Sequence, residues 1–185
     1  MEAWFRGFDP ATLAERVDVG AAERRLAEIV DARSVAGLAE KIGLLRVTGR
    51  LDEAQEAATE ALRQARLSGS REALAEVKVA RAQLLRSAGK HEQALQELSD
   101  AVAEAHDNGW GVIEAAARRQ RALVRVALGE DAAARDDLNE ALALLVKSDA
   151  APQEIDVTMV AIGALLDRVG SGDAADPTGE VGIPG

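Results

Sequence analysis

Gly49, Gly89 and Gly129 stand forty residues apart, twice over, and each opens a closely related phrase: GRLDEAQEAATEAL, GKHEQALQELSDAV and GEDAAARDDLNEAL. Five residues beyond each glycine lies an alanine (Ala54, Ala94, Ala134), and a second lies twelve residues beyond it (Ala61, Ala101, Ala141). The second alanine is preceded by an acid (Glu60, Asp100, Glu140) and followed by an aliphatic residue (Leu62, Val102, Leu142). A fixed period of this length marks stacked helical units, none of which can bury its apolar face alone. This outranks any local reading and predicts an all-α solenoid of antiparallel helix pairs.

The punctuation gives the boundaries. Glycine at the turn between the two helices of a pair, A and B, suits the left-handed position that ends a helix. Ser34 is a plausible N-cap for the first A helix, which runs to Thr48, and its B helix continues to about Leu67. The second pair is predicted over about 71–88 and 91–107, and the third over about 111–128 and 131–147. Residues 34–148 thus hold three repeats. Residues 149–169 form the A half of a fourth repeat, a C-terminal cap with Ile155, Met159, Ile162, Leu165 and Leu166 as its buried stripe. Residues 170–185 are Gly-, Pro- and Asp-rich and are expected to be disordered.

Residues 1–33 are expected to cap the N-terminal end. Asp9-Pro10 has the form of a helix start, for a short helix to about Val17, and a capping helix is expected over 21–32. Trp4, Phe5 and Phe8 are three of the four aromatic residues in the chain. They are expected to plug the exposed end of the first helix pair, or else to hook a partner.

Composition excludes several classes. The net charge of −10 disfavours non-specific attraction to nucleic acid or to an anionic membrane surface. There is no cysteine, so neither disulfides nor thiolate metal sites are available. No secretory leader or membrane-spanning stretch is evident, and a cytoplasmic location is the expectation. His91 and His106 lie at opposite ends of one helix and cannot share a metal. With no phosphate loop and no nucleophile paired with a base, the sequence points to no catalytic residues, no metal and no cofactor.

Charge is split between the helices. The A segments carry +2, +3 and +3 over residues 35–50, 70–90 and 109–129, whereas the B segments carry −2, −5 and −3 over 51–67, 91–107 and 130–148. In the second A helix, Leu74, Val77, Leu84, Leu85 and Ala88 define a packed stripe. Arg81 falls inside that stripe, as do its equivalents Lys41 and Arg121, so each is expected to snorkel or to pair with an acid on a B helix. Glu60, Asp100 and Glu140, which share the period, are the candidate partners.

With its opening glycines and paired alanines, the stretch 35–147 resembles tetratricopeptide repeats, in a long form akin to variants of bacterial regulators. It departs from the usual pattern in its period of forty rather than thirty-four, in lacking aromatic residues on the A helices, and in placing Ser68, Asn108 and Ser148 where proline is customary. The resemblance implies a right-handed superhelix of about three and a half repeats, whose A helices line a concave groove. The face opposite the packed stripe carries Ala39 and Arg46, then Val79, Gln83 and Arg86, then Val112, Arg119, Leu123 and Val126.

The expected function is therefore that of a scaffold or adaptor, not an enzyme, which binds a partner protein or peptide in the groove. Arg46, Val79, Gln83, Arg86, Arg119 and Leu123 form the candidate surface, with the arginines suited to an acidic segment. The competing readings are an ordinary solvated face, with Arg86 paired to Glu76 or Glu72, and a module that senses a small ligand or signal peptide. Homodimerisation through the C-terminal helix or the N-terminal aromatics is a further option.

Overall fold

The computed structural model describes residues 4–173. A two-stranded antiparallel hairpin, β1 (Phe5–Phe8) and β2 (Glu15–Val17), leads into eight helices. These are α1 (Val19–Glu28), α2 (Val35–Val47), α3 (Leu51–Ser68), α4 (Arg71–Ser87), α5 (His91–Asn108), α6 (Gly111–Ala127), α7 (Asp131–Lys147) and α8 (Pro152–Asp173). Each helix from α2 packs on the next in sequence, and α4 also packs on the A helices on either side of it, α2 and α6. The protein is an all-α helical repeat array, as the period predicts.

The repeat is legible at atomic scale. Gly49, Gly89 and Gly129 adopt φ of 77°, 72° and 80°, and the A-to-B turns form around them. All six repeat alanines have no exposed surface, so the B helices α3, α5 and α7 approach their neighbours almost backbone to backbone. Between repeats, Gly69 and Gly109 take the same left-handed conformation; the third such position holds Asp149, at φ 49°. Ser34 and Ser70 cap α2 and α4 through their hydroxyls.

Four sequence expectations need correction. Asp9 does accept the backbone N–H groups of Ala11 and Thr12, each at 3.0 Å, but no helix grows from it. The chain closes instead through Leu13 N–H to Asp9 O and Asp9 N–H to Ala14 O, and Leu13, at φ 51°, is almost fully buried. Pairing of β2 with β1 delivers Phe5, Phe8 and Leu13 to one core.

The aromatics, second, divide: Trp4 packs against the core of the first pair, where α1 also covers α2 with Ala22 and Leu26, whereas Phe5 and Phe8 are buried with residues of α6 and α8. Third, α8 runs to Asp173, four residues into the expected tail; residues 174–185 lie outside the described residues. Fourth, α8 buries Thr158, Ala161, Ala164 and Leu165 but leaves Met159 and Leu166 more than half exposed, because no further helix covers them among the described residues.

Candidate functional site

The A helices place their shared face around the hairpin, and repeat arithmetic explains each contact. Positions 46, 86 and 126 are equivalent, and there the chain has Arg46, Arg86 and Val126. Arg46 Nη1 donates to Glu15 Oε2 at 2.6 Å, and Arg86 Nη2 donates to the same oxygen at 3.2 Å. Val126 packs with Phe5, Phe8, Leu13 and Leu123. All three charged side chains are nearly buried, with 7%, 14% and 12% of Arg46, Arg86 and Glu15 exposed. Burial pushes the Glu15 carboxyl up, but the charges and hydrogen bonds of both arginines outweigh it and hold it below the usual carboxylate range. Burial, opposed by Glu15 and reinforced by Arg46, lowers the affinity of Arg86 for its proton. The acid that Arg46 and Arg86 grip is thus supplied by the chain itself.

Arg119 does not join them. It lies two turns from Val126 on α6 and turns to α8, donating to Glu154 Oε2 at 2.8 Å and to Thr158 Oγ1 at 3.1 Å. Val79 is buried against Ala82 and Leu98, Leu123 is buried under the hairpin, and Gln83 is half-buried. Of the six candidate residues, then, Arg46, Arg86 and Leu123 meet the hairpin, Arg119 holds α8, Val79 contributes to the groove floor, and Gln83 lines a cavity beneath the hairpin. Arg86 pairs with neither Glu76 nor Glu72.

The repeated cation in the packed stripe finds acids, though not the expected ones. Arg81 forks onto Glu97, and Arg121 forks onto Asp137 at 2.6 and 2.8 Å. These acids sit one helical turn before Asp100 and Glu140, on the side of the B helix that faces its own A helix. In the first repeat the equivalent position is Ala57, so Lys41 donates to the Val30 carbonyl at 2.9 Å instead. Glu60 pairs with Arg63 and Gln64 on its own helix, hydrogen bonds that lower its pKa to about 2. Asp100 accepts from Gln96, and Glu140 is exposed. Asp137, 2% exposed, also takes Arg125 at 2.8 Å and Arg118 at 3.5 Å, which locks α7 to α6. The stripe itself is also less uniform than expected, since Ala88 is exposed.

Among the described residues, concavities lie along the A-helix face. One is an open apolar trough of about 340 Å³, floored by Ala36, Ala39, Val79, Val112, Ile113 and Ala116 and edged by Glu76, Arg119 and Glu154. Desolvation and the charge of Glu72 raise the Glu76 carboxyl above its ordinary value. Another is a cavity of about 210 Å³ beneath the hairpin, walled by Trp4, Phe5, Phe8 and Val157 and by Arg46, Gln83, Arg119 and Gln120. Part of its room lies over Gly43. Positions 43, 83 and 123 are equivalent, and where later repeats carry Gln83 and Leu123 the first has Gly43, whose missing Cβ would meet nothing within 4 Å. A wider cleft of about 420 Å³ between the α1–α2 loop and α3 holds Lys41, Glu53 and Glu60. These are engaged by the Val30 carbonyl, by Arg50 and by Arg63 respectively.

Sequence reasoning missed Glu15, Gly43 and Gln120. Gly43 could have been found by asking which repeat position changes size. Glu15 could not, since only the hairpin brings it to Arg86, 71 residues away. Among the described residues no cluster of His, Asp and Glu is placed to hold a metal, and no helix is long and apolar enough to cross a membrane.

The architecture defines a helical-repeat protein whose A-helix face is partly covered by its own N-terminal segment. No protein-family model and no curated protein sequence matches the chain. Among solved structures the fold is similar to the crystal structure of BtubC (BKLC) from P. vanneervenii, with a TM-score of 0.55 at 18% identity. The match covers 85% of this chain and 66% of that one, and at this identity it speaks to the fold alone.

Proposed function

We propose that the protein is a tetratricopeptide-like interaction module that holds a segment of a partner protein in the open trough of its concave face. The observation that carries this is the apolar floor left uncovered beside the hairpin, where Val112 is 44% exposed although the rest of α6 is largely buried. The trough is edged by opposite charges. Arg119 is held by Glu154, a carboxylate 41% exposed and so replaceable, whereas Glu76 pairs with no cation among the described residues. A fitting segment is apolar, with a carboxylate that takes Arg119 from Glu154 and no acid facing Glu76. The acidic-segment expectation is thereby narrowed to Arg119, because Arg46 and Arg86 are already engaged by Glu15.

Peptides selected against the full chain from a random library provide the test. Binding should weaken at least tenfold in Val112→Asp and in Arg119→Ala, and should be unchanged in Leu67→Asp, an exposed position on α3. Selected peptides that bind Val112→Asp as tightly as the wild type would place recognition elsewhere and sink the proposal.

A further inference from the structure

The two ends of the array are finished differently. The terminal helices of such an array have one side left uncovered, and that side is ordinarily polar. At the N-terminal end α1 follows the rule, exposing Glu23, Arg24 and Glu28 while burying Ala22 and Leu26. At the other end α8 breaks it. Met159, Leu166 and Val169 are all exposed, and with the half-buried Ile162 they recur every three or four residues along one side of the helix. Among the described residues no other helix exposes more than two large apolar side chains.

The repeat shows which side this is. Helices α4, α6 and α8 begin at Arg71, Gly111 and Pro152, so their positions correspond at steps of forty and then forty-one. Met159 stands where the earlier A helices carry Lys78 and Arg118, and Ile162 where they carry Arg81 and Arg121. Those four cations reach their own B helices: Lys78 and Arg81 pair with Glu104 and Glu97 of α5, and Arg118 and Arg121 with Asp137 of α7. Gly163 stands where they carry Ala82 and Ala122, neither of which has any exposed surface. The stripe on α8 is therefore the B-facing side of an A helix, with no B helix over it among the described residues. Relative to α6 it has exchanged Arg118, Arg121 and Arg125 for Met159, Ile162 and Leu166, the reverse of what exposure to water favours.

That exchange selects the occupant. A helix with acids at the places of Glu97 and Asp137 would bury carboxylates against Ile162 without a cation. The charged exterior of α1 is equally unsuited, which argues against head-to-tail stacking of copies. The surface that matches the stripe is the stripe itself, since a wholly apolar band is complementary to its own image across a two-fold axis. We infer that α8 is the interface of a homodimer, in which the stripes of two copies pack antiparallel about an axis beside Gly163. Met159 of each copy then meets Leu166 of the second copy, because the two lie at nearly equal distances from that axis. Gly163, where a Cβ would meet nothing within 4 Å, lets the helices approach closely. A contact made mainly by one helix per copy falls short of the roughly 1,600 Å² of a standard interface, so the dimer is reversible and dissociates in the micromolar range. No residue of the stripe lines the open trough, and the inference does not rest on the partner-binding proposal.

Sedimentation of the full chain, from low micromolar to about half-millimolar concentration, provides the test. The mass should rise from 19.4 kDa towards twice that value and level off there. Gly163→Arg should stay monomeric while keeping or raising the Tm of the dilute protein, since it replaces a mid-helix glycine facing open space. Met159→Glu and Leu166→Lys, both at exposed positions, should each weaken the dimer at least tenfold with unchanged helical circular dichroism. Combined in one chain they should restore it at low salt and lose it again at high salt, because each glutamate then faces a lysine of the second copy. The inference is overturned if the wild type remains at 19.4 kDa throughout, if its mass climbs past the dimer without limit, or if folded Gly163→Arg dimerises as tightly as the wild type. A double variant that stays monomeric at low salt would overturn the antiparallel arrangement.

Discussion

At the scale of single residues, equivalent positions of the repeat let one side chain be judged against its counterparts. Gly69 and Gly109 occupy the left-handed turn between repeats without strain, and Asp149 occupies it with a Cβ. Asp149→Gly should therefore stabilise the protein by about 0.5–1 kcal/mol, seen as a Tm rise of roughly 1–4 °C. An unchanged or lower Tm would mean that the aspartate side chain makes a compensating contact. Glu76 gives a pH-dependent case. Its carboxyl binds a proton more tightly in the folded state than in the unfolded one, so ionisation opposes folding at neutral pH. Glu76→Gln should raise Tm at pH 7, and the advantage should vanish below about pH 4, where both states of the wild type hold the proton. Glu15 has the opposite sign, because its folded carboxyl is held low. Its contribution is present at pH 7 and is lost as pH falls through and below the ordinary carboxylate range. Glu15→Gln should cost about 3–5 kcal/mol at pH 7, since it leaves two guanidinium groups buried and uncompensated. A change under about 1 kcal/mol in denaturant titrations would show the triad to be looser than its distances imply.

At the scale of elements, the hairpin is the piece that local sequence signals misassign. The Asp9-Pro10 start signal is real, in that Asp9 makes the expected cap contacts, yet the path of the chain beyond it is decided by where Phe5, Phe8 and Leu13 are buried. Helices α2 to α7 were legible to within a residue or two because glycine turns, serine caps and the apolar period agree there. The arginine partners were half legible. Pairing with a B helix came from the buried position, but the acid one turn earlier could be chosen only once the helix rotation was known. The A-helix face was legible as a face and not as an occupied one, because its occupant comes from a segment with no repeat pattern. Native-state hydrogen exchange should report this distinction. In Phe8→Ala the amides of Asp9, Leu13 and Asp18, each bonded within the hairpin region, should exchange at least tenfold faster, with those of α5 unchanged. Equal acceleration throughout would make the hairpin inseparable from the array.

At the scale of the whole molecule, a stack of repeats ordinarily touches only its nearest neighbours and unfolds from its ends. Here Glu15 ties β2 to the first and second repeats, β1 packs on α6 and α8, and Arg168 of α8 donates to the Ala11 carbonyl and pairs with Asp131. The hairpin is therefore a clasp between distant parts of the array. Calorimetric and van't Hoff enthalpies should agree for the wild type, whereas Phe8→Ala should broaden the transition and lower the van't Hoff value. A wild-type transition that is already broad would show the clasp to be too weak to couple the repeats. The charge split acts at this scale too. The A-helix cations are largely consumed internally, by Glu15, Glu97, Glu104, Asp137 and Glu154, so the outer surface carries most of the net negative charge.

The hairpin's contacts also set an order of events in the making of the protein. Ala11 and Arg168 are 157 residues apart in the chain. At ribosomal rates of roughly 5–20 residues per second, the N-terminal aromatics emerge many seconds before the α8 surface that receives them exists. The helix pairs close over short loops and can form as they emerge, and Glu15 can meet Arg46 and Arg86 early, whereas Phe5 and Phe8 lack their α8 partners until the end of the array is made. The contact that closes the molecule is thus among the last that synthesis makes possible.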